Sequence, residues 1–191
     1  MRKMTQILDV PFDALTMAEA VEKVMGFLAD DKQHYICTPN PEIVMEAQHD
    51  KELMKILREA DLVVPDGIGV VWASRYSEIL LTERVAGYDL TQNIFSRIAG
   101  KNESVYFFGG APGVASTAAR QMKKVYPGLK IVGGHNGYFD AEEEKKIMII
   151  LSDGRPYDVI VNRPNAKNSQ PYRGKVAVMD TGMEVRRLRN L

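Results

Sequence analysis

At 191 residues, 45% hydrophobic and 26% charged, the chain is long and apolar enough to bury one substantial core, and its composition excludes the disordered and fibrous classes. Net charge is zero but uneven: residues 1–161 carry 18 Lys and Arg against 23 Asp and Glu, a net of −5, while residues 162–191 carry 7 against 2, a net of +5. An acidic body argues against nucleic acid as a partner, and the basic end either meets anionic phosphates or lipid head groups or is simply solvated.

The N-terminal stretch has charges but no long apolar run, so no leader peptide is expected. No segment approaches the ~18 apolar residues of a membrane-spanning helix, and the expected compartment is the cytoplasm. The single cysteine, Cys37, makes no intramolecular disulfide and no zinc site. Its place beside Ile36 points to a buried structural thiol rather than a nucleophile.

In chain order, residues 5–10 read as a short strand. A helix follows in "LTMAEAVEKVMGFL", with Thr16 as N-cap and Glu19 completing a capping box. Ala18, Val21, Val24, Met25 and Leu28 recur at helical spacing and form its expected buried face. "HYICT" is a second strand. Asn40 then caps a helix with Pro41 at its first position. Asp50 caps another helical segment running to Ala60, with Leu53, Ile56 and Leu57 inward. "DLVVPDG" is a strand entering a turn, and "IGVVWASRY" a short buried helix. Asp89 caps the helix in "LTQNIFSRIAG", which Gly100 ends. "SVYFFGG" is a strand of near-continuous apolar character, as when both sheet faces are covered. "APGVASTAARQMKKVYPG" is a helix, "LKIVGG" a strand, and Asp140 with Glu143 caps a further helix. "YDVIV" is the last strand of the regular pattern. This alternation predicts an α/β fold, Rossmann-like, with a mostly parallel sheet and helices on both faces. Residues 162–191 break the rhythm, with one apolar run, "VAVM", as a possible strand.

Ligands of open α/β sheets bind beyond the carboxyl ends of the strands. In "TPNPE", Thr38 and Asn40 offer a hydroxyl and an amide at a helix N-terminus that favours anions; a plain N-cap between two prolines fits equally. In "VPDG", Asp66 could serve as a general base or could cap the helix near Ile68. In "ERVAGYD", Arg84 could pair with a diphosphate and stabilise a departing one, or pair with Glu83. In "FFGGAPG", Gly109 and Gly110 allow close backbone approach to a diphosphate, although the pattern is neither GxGxxG nor a P-loop, and tight packing would explain it as well. In "GGHNGYFD", Asn136 and Gly137 form a second ligand loop or only a turn; His135 carries little weight. No metal-binding cluster and no Asp-x-Asp motif is visible, so neither a metal nor another cofactor is expected.

Taken together, "TPNPEIVMEA" at 38–47, "ADLVVPDGIGVVWASR" at 60–75, "ERVAGYDL" at 83–90, "VYFFGGAPGVA" at 105–115 and "GYFD" at 137–140 resemble the WecG/TagA/CpsF family of glycosyltransferases in order and spacing across residues 5–161. The resemblance implies an inverting transfer of N-acetylmannosamine from UDP-ManNAc to the N-acetylglucosamine of an undecaprenyl-diphosphate lipid. The product would be the linkage disaccharide of wall teichoic acid, and the enzyme would sit peripherally on the inner face of the cell membrane. Asp66 then matches the base, Thr38 and Asn40 the polar residues of the pocket, and Arg84 the arginine near the diphosphate. The loop at Gly109 and Gly110 would lie near the nucleotide. Exposed apolar helix faces leave room for a homo-oligomer.

After Val161 the resemblance stops. The expected division is therefore a glycosyltransferase α/β domain at 1–161 and an atypical basic segment at 162–191, truncated or altered relative to the family. Gln170 does not stand in the family's glutamine context. The alternatives are a nucleotide-binding α/β protein without turnover and, less well matched, a nicotinamide-dependent oxidoreductase.

Overall fold

The computed structural model describes residues 3–30, 32 and 34–138, together with the strands Val159–Asn162 and Val176–Met179. The single strand expected at 5–10 is instead an antiparallel hairpin of β1 (Met4–Ile7) and β2 (Val10–Asp13). The turn places Leu8 and Asp9 at φ 49° and 63°. Such turns need positive φ at both central positions and usually carry Asn or Gly there, so Leu-Asp gave no turn signal. Asp13 at the end of β2 is buried; its Oδ2 accepts the Val63 N–H at 2.9 Å and its Oδ1 lies 3.1 Å from Lys23 Nζ.

Helix α1 (Met17–Ala29) begins as its sequence specifies: Thr16 accepts from the Glu19 N–H, and Glu19 accepts from the Thr16 N–H at 2.8 Å. Its buried residues are Ala20, Val21, Val24 and Leu28, with Met25 packed at the margin. Ala18 faces solvent, one position off the stripe that Ala20 continues.

The main sheet has six strands, all parallel, in the order β4-β3-β8-β7-β5-β6. They are β3 (His34–Cys37), β4 (Leu62–Val63), β5 (Ser104–Phe108), β6 (Lys130–His135), β7 (Val159–Asn162) and β8 (Val176–Met179). The "VAVM" run is thus a strand, and it pairs between β3 and β7 at the middle of the sheet. Alternation sorts the side chains between two layers. Ile36, Leu62, Val64, Val105 and Phe107 meet α1, α5 (Gly87–Ile98) and α6 (Val114–Val125) on one face. Cys37 and Val63 meet α2 (Pro41–Ala47), α3 (Lys51–Glu59) and the hairpin on the other. Cys37 is fully buried, and that burial pushes its thiol up to about 12.

Three helices differ from expectation. Helix α4 (Ile68–Ala73), continued by a 3-10 turn at Ser74–Tyr76, buries Val70 but exposes Ile68 and Trp72. Its apolar run is divided: Val70, with Val71 and Ala73, packs against the core, and Ile68 and Trp72 face outward. Helix α5 starts at Gly87, before the predicted cap Asp89, for a reason that lies in the site below. Helix α6 starts only at Val114, because Gly109, Gly110 and Gly113 all take positive φ and keep the preceding loop out of the helix. The helix expected after Asp140 lies outside the described residues.

Candidate active site

A parallel sheet puts all its carboxyl ends on one edge, and the sequence-predicted residues gather there in two groups. The first lies beyond β3 and β4. Asn40 takes its cap position, Oδ1 accepting the Ile43 N–H at 3.0 Å, and Pro41 opens α2. The Asp66 N–H donates to the Pro39 carbonyl at 3.2 Å, and the Val64 N–H to the Cys37 carbonyl at 3.0 Å. These two bonds carry the β3–β4 pairing into the loops and bring "TPNPE" against "VPDG".

Gly67 seals that junction. Its φ of 129° disfavours any side chain, and a Cβ there would stand 3.1 Å from Pro41 Cδ. Helix α4 therefore leaves from directly over the Pro41 ring, with Gly67 as its N-cap and no side-chain cap.

Asp66 sits at the centre of this group, 21% exposed. Its Oδ1 lies 3.5 Å from Arg84 Nε, and its Oδ2 accepts the N–H of Gly87, the first residue of α5, at 3.3 Å. The guanidinium and the helix N-terminus both complement a negative charge. This explains the early start of α5: its terminal donor is met by a carboxylate from another loop, so Asp89 is left inside the first turn. Arg84 is 51% exposed and lies on the solvent side of the pair. Glu83, its rival partner, is turned away and accepts the Met17 N–H at 3.1 Å, at the start of α1. A carboxylate and a half-exposed guanidinium held side by side are equipped to take up a proton and to neutralise a departing anion.

Thr38 is fully buried under the group. A Cβ on Gly87 would come within 2.7 Å of Thr38 Oγ1, so the threonine supports the turn of α5 that faces Asp66. Gly87 and the Pro39 carbonyl are the residues that sequence reasoning missed. The only local sign was a glycine where a helical pattern begins, in the quoted stretch "ERVAGYD".

The second group lies beyond β5 and β6. The Gly109 N–H donates to the His135 carbonyl at 2.8 Å and the Gly137 N–H to the Gly110 carbonyl at 2.8 Å. The loops after β5 and β6 are thereby stitched together, and a Cβ on Gly137 would lie 3.3 Å from Gly109 Cα. Asn136 Oδ1 accepts the Tyr138 N–H at 2.8 Å, closing the turn. The result is a backbone-lined ledge whose Gly109 and Gly137 amides are spent on joining the loops, beside the start of α6, where a helix N-terminus complements an anion. Strands β8 and β7 separate the two groups in the sheet, so three strand spacings, roughly 14 Å, lie between them. Each group is assembled on its own pair of strands. Among the described residues no cluster of three or more His, Cys, Asp or Glu could hold a metal ion, and no helix is long and apolar enough to cross a membrane.

A profile described as "Glycosyl transferase WecG/TagA/CpsF family" matches residues 5–164. A relative from Bacillus spizizenii is 34% identical over 139 residues, which cover 73% of this chain and 54% of the relative. One from Staphylococcus aureus is 31% identical over 152 residues, covering 77% of this chain and 59% of the relative. Both are named N-acetylglucosaminyldiphosphoundecaprenol N-acetyl-beta-D-mannosaminyltransferase. The chain thus spans a little over half the length of these curated relatives.

Proposed function

Because this chain belongs to the glycosyl transferase WecG/TagA/CpsF family, we propose that it is the catalytic body of an inverting N-acetylmannosaminyltransferase. The donor is UDP-ManNAc and the acceptor is undecaprenyl-diphospho-N-acetylglucosamine. In this reading Asp66 takes the proton of the acceptor hydroxyl as its oxygen bonds to the anomeric carbon of the donor. The bond from that carbon to the diphosphate oxygen breaks on the opposite face, and UDP departs. Arg84 takes up the charge gathering on the diphosphate. Asn40 lines the sugar side, and Thr38 holds the start of α5 in place beneath Asp66. The ledge at Gly109, Gly110, Asn136 and Gly137 receives the nucleotide end. An extended nucleotide sugar is long enough to bridge the two groups.

The observation that carries this reading is the Asp66–Arg84 contact at the carboxyl edge, 3.5 Å between Oδ1 and Nε. It puts a proton acceptor and a diphosphate partner in one place, within a chain whose relatives are named for this transfer. The test is UDP release from UDP-ManNAc with a diphospho-N-acetylglucosamine acceptor, for this chain and its Asp66→Asn variant. Acceptor-dependent turnover should fall by ~10²–10⁴-fold in the variant, the usual range for a lost general base. Asparagine keeps an oxygen for the Gly87 N–H, so folding should be little changed. Equal turnover in the two proteins refutes the role of Asp66. Release of UDP that ignores the acceptor refutes the transfer.

The site of action proposed with it is the inner face of the cell membrane, where the protein is held peripherally.

A further inference from the structure

Arg84 is only as well aimed as the loop that carries it. Its contact with Asp66, 3.5 Å from Nε to Oδ1, is longer than the ~2.7–2.9 Å of a close charge-assisted hydrogen bond, and its side chain is half-exposed. Arginine has many rotamers, so a guanidinium on so loose a tether takes its direction from the backbone beneath it. That backbone is fixed at every second residue. The Leu81 N–H donates to Ser74 Oγ at 2.9 Å, the Val85 N–H to the Pro65 carbonyl at 2.9 Å, and the Gly87 N–H to Asp66 Oδ2 at 3.3 Å. Between the first two comes Glu83, whose Oε2 accepts the Met17 N–H at 3.1 Å.

Met17 is the first residue of α1, and its N–H is one of the donors that a helix cannot pair internally. The Thr16–Glu19 box satisfies the N–H groups of Thr16 and Glu19, not this one. Glu83 supplies the acceptor from 66 residues away, and places negative charge at the positive end of the helix. The other three anchors use the loop's own backbone. This one is a side chain, and it belongs to the residue immediately before Arg84. Two consequences follow. The tie holds the approach to Arg84 against a helix seated in the core through Ala20, Val21, Val24 and Leu28. It also keeps the Glu83 carboxylate off the guanidinium; released, that carboxylate would compete with a phosphate for Arg84.

We propose that Glu83 is a positioning residue: by accepting the Met17 N–H at the start of α1, it holds Arg84 beside Asp66 and leaves the guanidinium to the diphosphate. This deepens the function proposed above and rests on it for the ligand. Glu83 acts through Arg84 and touches neither donor nor acceptor itself. The geometry sets what residue 83 must have, which is an oxygen that reaches Met17; its charge is secondary. Glutamine meets that requirement. Aspartate is one methylene shorter, falls short of Met17 and keeps a carboxylate beside Arg84. Glutamine should therefore replace Glu83 better than alanine does, and aspartate no better than alanine. A role for charge alone would give the reverse, with aspartate above glutamine.

The experiment titrates UDP and uridine calorimetrically into the full chain, with urea midpoints measured alongside. The proteins are the wild type, Glu83→Gln, Glu83→Ala, Glu83→Asp, Arg84→Ala and the Glu83→Ala, Arg84→Ala double variant. Glu83→Ala should raise the Kd for UDP by roughly 5-fold to 10-fold, short of the ~10-fold to 100-fold that a lost charged hydrogen bond predicts for Arg84→Ala. Glu83→Gln should stay within about 2-fold of the wild type, and Glu83→Ala should add less than about 2-fold in the Arg84→Ala background, since residues that act through one another do not add. Uridine, which has no phosphate, should bind every variant alike. A UDP affinity unchanged by Glu83→Ala, with or without a fall in urea midpoint, makes Glu83 a helix cap and overturns the proposal. So does an equal loss in both backgrounds, an equal loss for uridine, or rescue by aspartate and not by glutamine. A wild-type chain that binds no UDP refutes the function proposed above, and this inference with it.

Discussion

Replacing Gly87 by alanine sets two levels of reasoning against each other. Alanine is favoured over glycine in a helix by ~1 kcal/mol, so the start of α5 should gain stability on propensity alone. The tertiary structure says the opposite. The new Cβ would lie 2.7 Å from Thr38 Oγ1, 3.2 Å from its Cγ2 and 3.3 Å from its Cβ. Thr38 is fully buried and its branched side chain has few rotamers to escape into. Inserting a methyl group into a packed site costs ~1–3 kcal/mol, so after the propensity gain a net loss of up to about 2 kcal/mol is expected. The strain should also push the first turn of α5 away from Asp66 and weaken the 3.3 Å hydrogen bond to the Gly87 N–H. Urea unfolding of the wild type, Gly87→Ala, Thr38→Ala and the double variant measures the effect directly. Thr38→Ala removes both atoms in closest conflict, so Gly87→Ala should be neutral or stabilising in that background. A Gly87→Ala change that stabilises the wild type, or costs the same in both backgrounds, refutes the packing argument.

Asp13→Ala should destabilise by about 1.5–3 kcal/mol, because the buried Val63 N–H loses a charged acceptor; Asp13→Asn, which keeps an oxygen, should cost less. Equal urea midpoints for Asp13→Ala and wild type would disprove it. Cys37 should resist thiol reagents in the native protein and react on unfolding, since the buried thiol is held protonated up to about 12. The same burial makes folding alkali-sensitive. The native state keeps a proton that the unfolded chain releases near its ordinary value of 9.0, so the contribution is whole below pH 9 and is lost as pH rises toward 12. The slope should be about 1.4 kcal/mol per pH unit in that window, and unfolding curves of Cys37→Ala should lack that part of it. Identical pH profiles for the two proteins would remove the thiol from the account.

Local signals read well wherever the deciding interaction is itself local. The Thr16–Glu19 box, the Asn40 and Asp50 caps and Pro41 at the first turn of α2 join residues within a few positions of one another, and each stands where the pattern put it. Strand β5, nearly all apolar, is buried along its whole length, as a strand covered on both faces must be. The succession of strands and helices was enough for a parallel α/β sheet, and with it an edge at which Asp66 and Arg84 could meet. What periodicity could not supply was the content of contacts between distant segments. The cap of α5 comes from Asp66, 21 residues earlier, so no reading of Ala86–Asp89 alone could place the helix start. The outward face of α4 depends on what packs beside it, and an apolar run reads alike whether its side chains end up covered or exposed. The position of β8 between β3 and β7 follows from strand pairing across more than a hundred residues, to which no local pattern points. Sequence determined the elements, since hydrogen bonds between near neighbours make them. Only the tertiary structure decided which distant carboxylate, proline and glycine meet, because their contacts exist only once the sheet has brought its carboxyl ends together.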